Sequence, residues 1–225
     1  MEVAFKKAIG KRKKQEDSDF QGQNIVGDFF VVSDGMGGMG HGEIVSNCVV
    51  KAFEEALKLF SNKLPIKEFL QDALLQANKQ VRILDTGGGA TVVACIIKDN
   101  LLNWISVGDS PLLLFRGGEF IRLNENHSNV FSKDVFAHSN LLTSCIRGRC
   151  IPMIDYNVEP FVLKKGDFLV ISTDGILDIE NIAENFFKDV LNNEKYSLSE
   201  KLDVVFEKLS TYEFMDNTTT FLLKF

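Results

Sequence analysis

The chain has 225 residues, room for one or two domains, and its composition is that of a globular protein, 45% hydrophobic and 25% charged. Those proportions exclude a disordered chain, a collagen-like one and a disulfide scaffold. A net charge of −6 argues against a nucleic-acid surface spread over the whole molecule, and it is compatible with carboxylates gathered for a metal. Nineteen phenylalanines against three tyrosines and one tryptophan imply a large apolar core, because phenylalanine buries area without a polar atom to satisfy.

Residues 2–9 alternate weakly and read as an edge strand. Gly27–Ser33 is a short apolar run, a buried strand that ends at Asp34. After a glycine-rich turn (Gly35-Met36-Gly37-Gly38-Met39-Gly40-His41-Gly42) the spacing becomes helical from Glu43, with Val45, Cys48, Val49, Ala52 and Phe53 on one face. Pro65 opens a second helix carrying Phe69, Leu70, Ala73, Leu74, Ala77 and Val81. Strands follow over Thr91–Ile97, Leu101–Val107, Leu112–Phe115 and Phe120–Leu123, punctuated by Asp99-Asn100 and Gly117-Gly118. Residues 124–158 lack a period and read as a surface excursion. Phe161–Leu163 and Phe168–Ser172 are strands, Ile182–Leu191 and Leu198–Leu209 helices, and Thr218–Phe225 a final strand. Strict strand–helix alternation is absent, so the pattern favours a layered, mainly antiparallel α+β domain over a doubly wound sheet. No linker or break in composition divides the chain, and a single domain over 1–225 is expected.

Cys48, Cys95, Cys145 and Cys150 form no CxxC pair, and none sits near a histidine at zinc spacing, so reduced thiols are expected. The first residues, Met1–Lys7, are too short and polar for a signal peptide, and no apolar stretch nears the ~20 residues of a membrane span. A cytoplasmic protein with no membrane or nucleic-acid partner is the expectation.

Four carboxylates share a setting. Asp34, Asp109 and Asp174 each follow an apolar strand, and Asp216 precedes the last one. A single Asp-Gly is usually a turn. Several at the ends of buried strands, with little nearby cation in sequence, are costly unless paired or metal-bound. Hard oxygen donors without His or Cys point to Mg²⁺ or Mn²⁺.

These residues carry a family resemblance. Arg12-Lys13-Lys14-Gln15-Glu16-Asp17-Ser18, Asp34-Gly35-Met36-Gly37-Gly38 with Gly42-Glu43, Gly89-Ala90-Thr91, Gly108-Asp109-Ser110, Thr173-Asp174-Gly175 and Asp216-Asn217-Thr218 resemble, in order and spacing, the motifs of the metal-dependent (type 2C) serine/threonine protein phosphatases of bacterial type, over the catalytic domain alone. The resemblance implies an α-β-β-α sandwich of two antiparallel sheets flanked by helix pairs. It implies hydrolysis of phosphoserine and phosphothreonine by a hydroxide bridging two Mn²⁺ or Mg²⁺ ions, without a phosphoenzyme. Asp34 would bridge the ions, the Gly35 carbonyl would ligate one, and Asp174 and Asp216 the other. Glu16 would bind at the second ion, Asp17 would orient water, and Asp109 would hold a third, weaker ion. Arg12 would grip two phosphate oxygens, a bidentate task lysine does poorly.

The sequence departs from the family pattern at several places. Met36 and Met39 stand where relatives carry histidines, and His41 reads as a capping or solvent-facing residue. Pro111 replaces an arginine, and Asn126-His127-Ser128 replaces Asp-His-Ser. The run Lys11–Lys14 reads as a solvated strand end or a local positive field for phosphopeptides. The resemblance places Arg147 and Arg149 in the family's flap beside the metal site, where they either meet substrate or, the preferred reading, are spare charges on a mobile loop. A non-catalytic binding member of the same fold is the alternative, disfavoured because Asp34, Asp174 and Asp216 are all present. Phosphorylated proteins are the expected partners and a monomer the expected state.

Overall fold

A computed structural model describes residues 1–36, 40–60, 64–130, 134–137, 139, 141–213 and 215–225. Met39 and the Gly37-Gly38 pair therefore lie outside the described residues.

Two sheets, antiparallel throughout, face each other. The first runs in the order β1 (Glu2–Ala8), β11 (Thr218–Lys224), β10 (Phe168–Ser172), β6 (Leu112–Arg116), β7 (Glu119–Arg122). The second is β2 (Ser18–Asn24), β3 (Gly27–Ser33), β4 (Val92–Lys98), β5 (Leu101–Val107), β8 (Asp155–Tyr156), with β9 (Phe161–Val162) also on β5. Helices α1 (Gly42–Leu59) and α2 (Ile66–Leu84) cover the second sheet; α3 (Asp178–Ile182), α4 (Phe186–Asn192) and α5 (Leu198–Leu209) cover the first.

The period-2 alternation of the strands assigns each side chain to a layer. Phe29 and Val31 of β3 face α1 and α2, where Val49, Phe53, Leu70 and Ala77 meet them. Phe30 and Val32 face inward, against Leu169, Ile171, Phe221 and Leu223 of the other sheet. Val170 and Leu222 point outward to Leu202, Val205 and Phe206 of α5. The phenylalanine excess is spent on these layers: the Phe30 and Phe221 rings pack edge-on at 5.4 Å between the sheets. The expected α-β-β-α sandwich is thus the observed one. Cys95 lies in the inter-sheet core, and all four cysteines are free.

Three expectations need correction. First, β2 was not foreseen, because Ser-Asp-Phe-Gln-Gly-Gln-Asn has no strand pattern. It forms by pairing with β3 from Ser18↔Ser33 to Asn24↔Gly27, which is tertiary context overriding propensity. Second, Ile182–Leu191 is not one helix. Ala183 turns extended (φ −156°) and Asn185 goes left-handed (φ 62°), a conformation asparagine tolerates, so α3 stops and α4 restarts. Third, 124–158 is not merely a surface excursion: Asn124, His127, Phe136, Ser144 and Ile146 are buried, and β8 extends the second sheet.

The registers bring one end of every central strand to the same edge of the sandwich. β1 ends at Ala8 opposite Thr218, β3 at Ser33 opposite Ser18, and β10 at Ser172 opposite Thr220. The residues just beyond these ends are the acidic ones singled out above.

Candidate active site

Asp34, the first residue past β3, is anchored through its backbone. Its N–H donates to Thr91 Oγ1 (3.0 Å) and its carbonyl accepts from the Thr91 N–H (2.9 Å). Thr91 Oγ1 in turn pairs with Ser110 Oγ (2.6 Å), tying the Asp34 turn to the Asp109 turn. Gly35 is locked between two loops. Its N–H donates to the Glu16 carbonyl (3.1 Å), and a Cβ there would lie 2.3 Å from the Gly42 carbonyl oxygen and 2.5 Å from that of Glu16. Only glycine fits.

Asp174 opens a 3₁₀ turn, Asp174–Leu177, directly after β10. Gly175 behind it abuts the Asn217 carbonyl, which a Cβ would meet at 2.4 Å. Asn217 then organises the other side. Its Oδ1 accepts from the Glu16 N–H (2.7 Å), and its Nδ2 donates to the carbonyls of Ile9 (2.8 Å) and Lys14 (3.0 Å). One side chain holds the Arg12–Asp17 segment against the strand that carries Asp216.

Asp17 is buried. Its Oδ2 accepts from Thr173 Oγ1 (2.9 Å) and Thr219 Oγ1 (2.8 Å), while its buried Oδ1 has no hydrogen-bond partner. Burial pushes its carboxyl up to about 7; the two threonines oppose that rise and the charge of Asp174 adds to it. Asp34 is also held well above the usual carboxylate range, by burial and then by Asp174, Asp17, Asp109 and Asp216, in that order. Glu16 sits at the rim, raised by burial and by Glu43 and eased by Lys14 and Arg12. Arg12 Nη2 donates to Asp216 Oδ2 (2.5 Å) and faces Asp174 and Asp34 at longer range.

The eight residues singled out in the sequence thus share one region. Asp174, Asp17, Asp109 and Asp216 all raise the proton affinity of Asp34 there. Among the described residues, the buried Asp17 Oδ1 accepts no hydrogen bond. This donor set fits hard divalent cations, which would let every carboxylate ionise. Among the described residues the side chains do not converge as a ready group of three ligands. Repulsion between the carboxylates and the pairing of Asp216 with Arg12 favour that splayed arrangement.

A sequence profile described as protein phosphatase 2C matches residues 9–222. The chain belongs to the protein phosphatase 2C family. It is 29% identical over 214 residues to the serine/threonine phosphatase stp of Listeria welshimeri, covering 86% of this chain and 83% of that one. Its fold matches serine/threonine phosphatase Stp1 of Staphylococcus aureus with a TM-score of 0.86 at 20% identity, over 100% of this chain and 94% of that one. It also matches the catalytic domain of the phosphatase PstP, solved in complex with two manganese ions, with a TM-score of 0.77 at 20% identity over 98% and 96% of the chains.

The departures from the 2C pattern have structural answers. Pro111 stands where the pattern has an arginine, and Arg122 of β7 reaches the Asp109 turn. Its Nη2 donates to the Asp109 carbonyl (2.6 Å), and burial lowers its pKa to about 10 although Asp109 and Asp174 oppose the fall. Arg122 was not singled out, because nothing in its local sequence marks it. His127 is buried; its Nδ1 accepts from the Gly108 N–H (3.2 Å), and burial holds it below its ordinary pKa, so it is a neutral structural residue. Asn126 caps Ser128, whose Oγ donates to Asn126 Oδ1 (2.7 Å). His41 is exposed at the N-terminus of α1 with φ 64° and makes no capping hydrogen bond through its side chain. Thr173, Thr219 and Asn217 were also missed as site-shaping residues. Thr173 and Asn217 flank the motif aspartates, the one signal available.

Proposed function

We propose that this phosphatase hydrolyses phosphoserine and phosphothreonine on proteins, as a single cytoplasmic, monomeric catalytic domain spanning 1–225 and loaded with Mn²⁺ or Mg²⁺. The observation that carries the reading is the Asp34 cluster: Asp174, Asp17, Asp109 and Asp216 lie near enough to oppose its charge, beside Arg12 at the rim. Asp34, the Gly35 carbonyl, Asp174 and Asp216 would hold two ions, with Glu16 beside one of them and Asp109 toward a third. Such ions, when bound, make water a nucleophile at neutral pH and neutralise phosphoryl oxygens.

The chain's own residues do the rest. Arg12 is exposed and paired with Asp216 through Nη2, which leaves its fork free to turn to two oxygens of an incoming phosphate. Asp17 is fixed by Thr173 and Thr219, and Oδ1 remains to accept a hydrogen bond from the attacking water and orient it. The serine or threonine oxygen leaves in line, and no side chain becomes phosphorylated. Met36 offers no proton to that leaving group.

The test is hydrolysis of p-nitrophenyl phosphate and phosphothreonine peptides by purified protein. Turnover should require Mn²⁺ or Mg²⁺ and should vanish with EDTA and in Asp174→Asn. No turnover with either ion on either substrate sinks the reading.

A further inference from the structure

Beside the site, on the flap side, the structure holds a second basic hollow. Arg82 near the end of α2 and the segment Arg147-Gly148-Arg149 line a cavity of about 210 Å³, and Arg82 and Arg149 continue with Lys79 into a neighbouring one of about 400 Å³. Among the described residues, no ion pair involves Lys79, Arg82, Arg147 or Arg149. Asp85 is the single carboxylate on the wall of the first cavity.

The hollow is built, contrary to the expectation of a loose loop with spare charges. Asn78 of α2 clamps the segment: its Oδ1 accepts from the Gly148 N–H (2.9 Å) and its Nδ2 donates to the Arg149 carbonyl (2.7 Å). Gly148 adopts φ +70°, and a Cβ there would lie 2.4 Å from Arg82 Cα. The Arg147–Arg149 segment is thus held against the Arg82 backbone at a distance that no residue with a Cβ at 148 would allow, and all three arginines line the hollow. Like charges lining one hollow repel, and a bound anion would relieve that repulsion.

The hollow is also coupled to the reaction centre. Ile146 pairs with Ala90 through both backbone groups (2.8 and 3.0 Å), and Ala90 bridges to Gly35. The Arg147 stem and Met36 pack across Gly89, where a Cβ would meet Cγ at 2.9 Å and Cε at 2.1 Å. Two strand spacings separate Gly35 from Ile146, roughly 10 Å, which an extended peptide covers in about three residues.

We propose that Arg82, Arg147 and Arg149 form a specificity subsite for an anionic side chain, a carboxylate or a second phosphate, about two to four residues from the phosphorylated residue of the substrate. This rests on the phosphatase reading above and extends it from reaction class to substrate choice.

The test compares three phosphothreonine peptides in the Mn²⁺-loaded protein: neutral flanks, Asp or Glu at two to four residues on either side, and a second phosphate at the same places. At least one anionic peptide should show a KM about tenfold below the neutral one, an advantage that shrinks with salt, and the better of the two names the preferred anion. In Arg82→Gln/Arg149→Gln, with Arg147 left in place beside Met36, the ratio of the two KM values should fall toward one. p-Nitrophenyl phosphate, which has no flank, gives each variant's reference rate, and a thermal melt checks its fold. Equal KM values in the parent protein, or an advantage untouched in the double variant, overturn the proposal. A second readout separates it from the reaction itself: anisotropy of a labelled acidic peptide without phosphothreonine should report binding to the parent protein and weaker binding to the double variant. Binding unchanged in that variant also overturns it, whereas absent turnover would fault only the catalytic reading.

Discussion

At the scale of single residues, the site is set by what backbone and hydroxyl groups do to carboxylates. Thr173 and Thr219 hold one oxygen of Asp17 and favour its ionised form against burial. Thr219→Val should therefore cost about 1–3 kcal/mol in urea unfolding, most of it above pH 7 where Asp17 is charged, and less at pH 6. An equal loss at both values would mean that Thr219 acts only through packing. Gly35 is the other decisive residue. Gly35→Ala forces a methyl group onto the Gly42 and Glu16 carbonyls and should cost about 1–3 kcal/mol while weakening Mn²⁺ binding by calorimetry. Unchanged affinity would detach this turn from the ion site. The sequence marks Asp34-Gly35 by its company: one Asp-Gly is usually a turn, but several at the ends of buried strands are costly unless paired or metal-bound. It says nothing of Arg122, whose importance depends on which strand β7 lies beside.

At the scale of elements, a loop from one end of the chain is laced to a strand at the other. Asn217 supplies three hydrogen bonds to that loop, and at Gly10 (φ +61°) a Cβ would meet the Asp216 carbonyl oxygen at 2.4 Å. Asn217→Ala should lower stability by about 2–4 kcal/mol, from two lost donors and one lost acceptor in a partly buried setting. Urea midpoints check this, and a change under 0.5 kcal/mol, the scale of an ordinary surface substitution, would show the lacing to be incidental. Elements legible in the sequence are those whose own pattern suffices. β3, β5 and β10 fall where the apolar runs place them, and α5 starts at Ser197 with a capping box closed by Glu200. Elements that borrow their reason from elsewhere were not legible: β2 exists because β3 presents an edge, and the α3–α4 break exists because Asn185 accepts a left-handed turn.

At the scale of the whole molecule, stability rests on three apolar layers, and Phe221 occupies the middle one between Phe5 and Phe30. Phe221→Ala should cost about 3–5 kcal/mol, measured by urea unfolding, as a large cavity opens between the sheets. Acid sensitivity has a separate anchor remote from the site. Burial works against the charge of Asp167, but the Arg116 guanidinium (2.8 and 2.6 Å) and the Lys164 N–H (2.7 Å) outweigh it and hold the carboxyl below its ordinary value of 3.8. Its stabilising contribution is complete above that value and is lost as pH falls through the lower, folded one. The stability gap between the parent protein and Asp167→Asn should accordingly be wide at pH 7 and narrow progressively below about pH 4. A gap independent of pH would refute the ion-pair account. The pairing of β1 with β11, Glu2 opposite Lys224 through Ala8 opposite Thr218, has a consequence in time as well as in space. Residues 12–17 leave the ribosome long before 216–219, so the acidic cluster cannot be complete until β11 has been made. A polypeptide made only as far as β10 would hold Asp34 and Asp109 without Asp216, and the capacity for chemistry arrives with the strand that also joins β1 to β10 and brings Phe221 to the inter-sheet core.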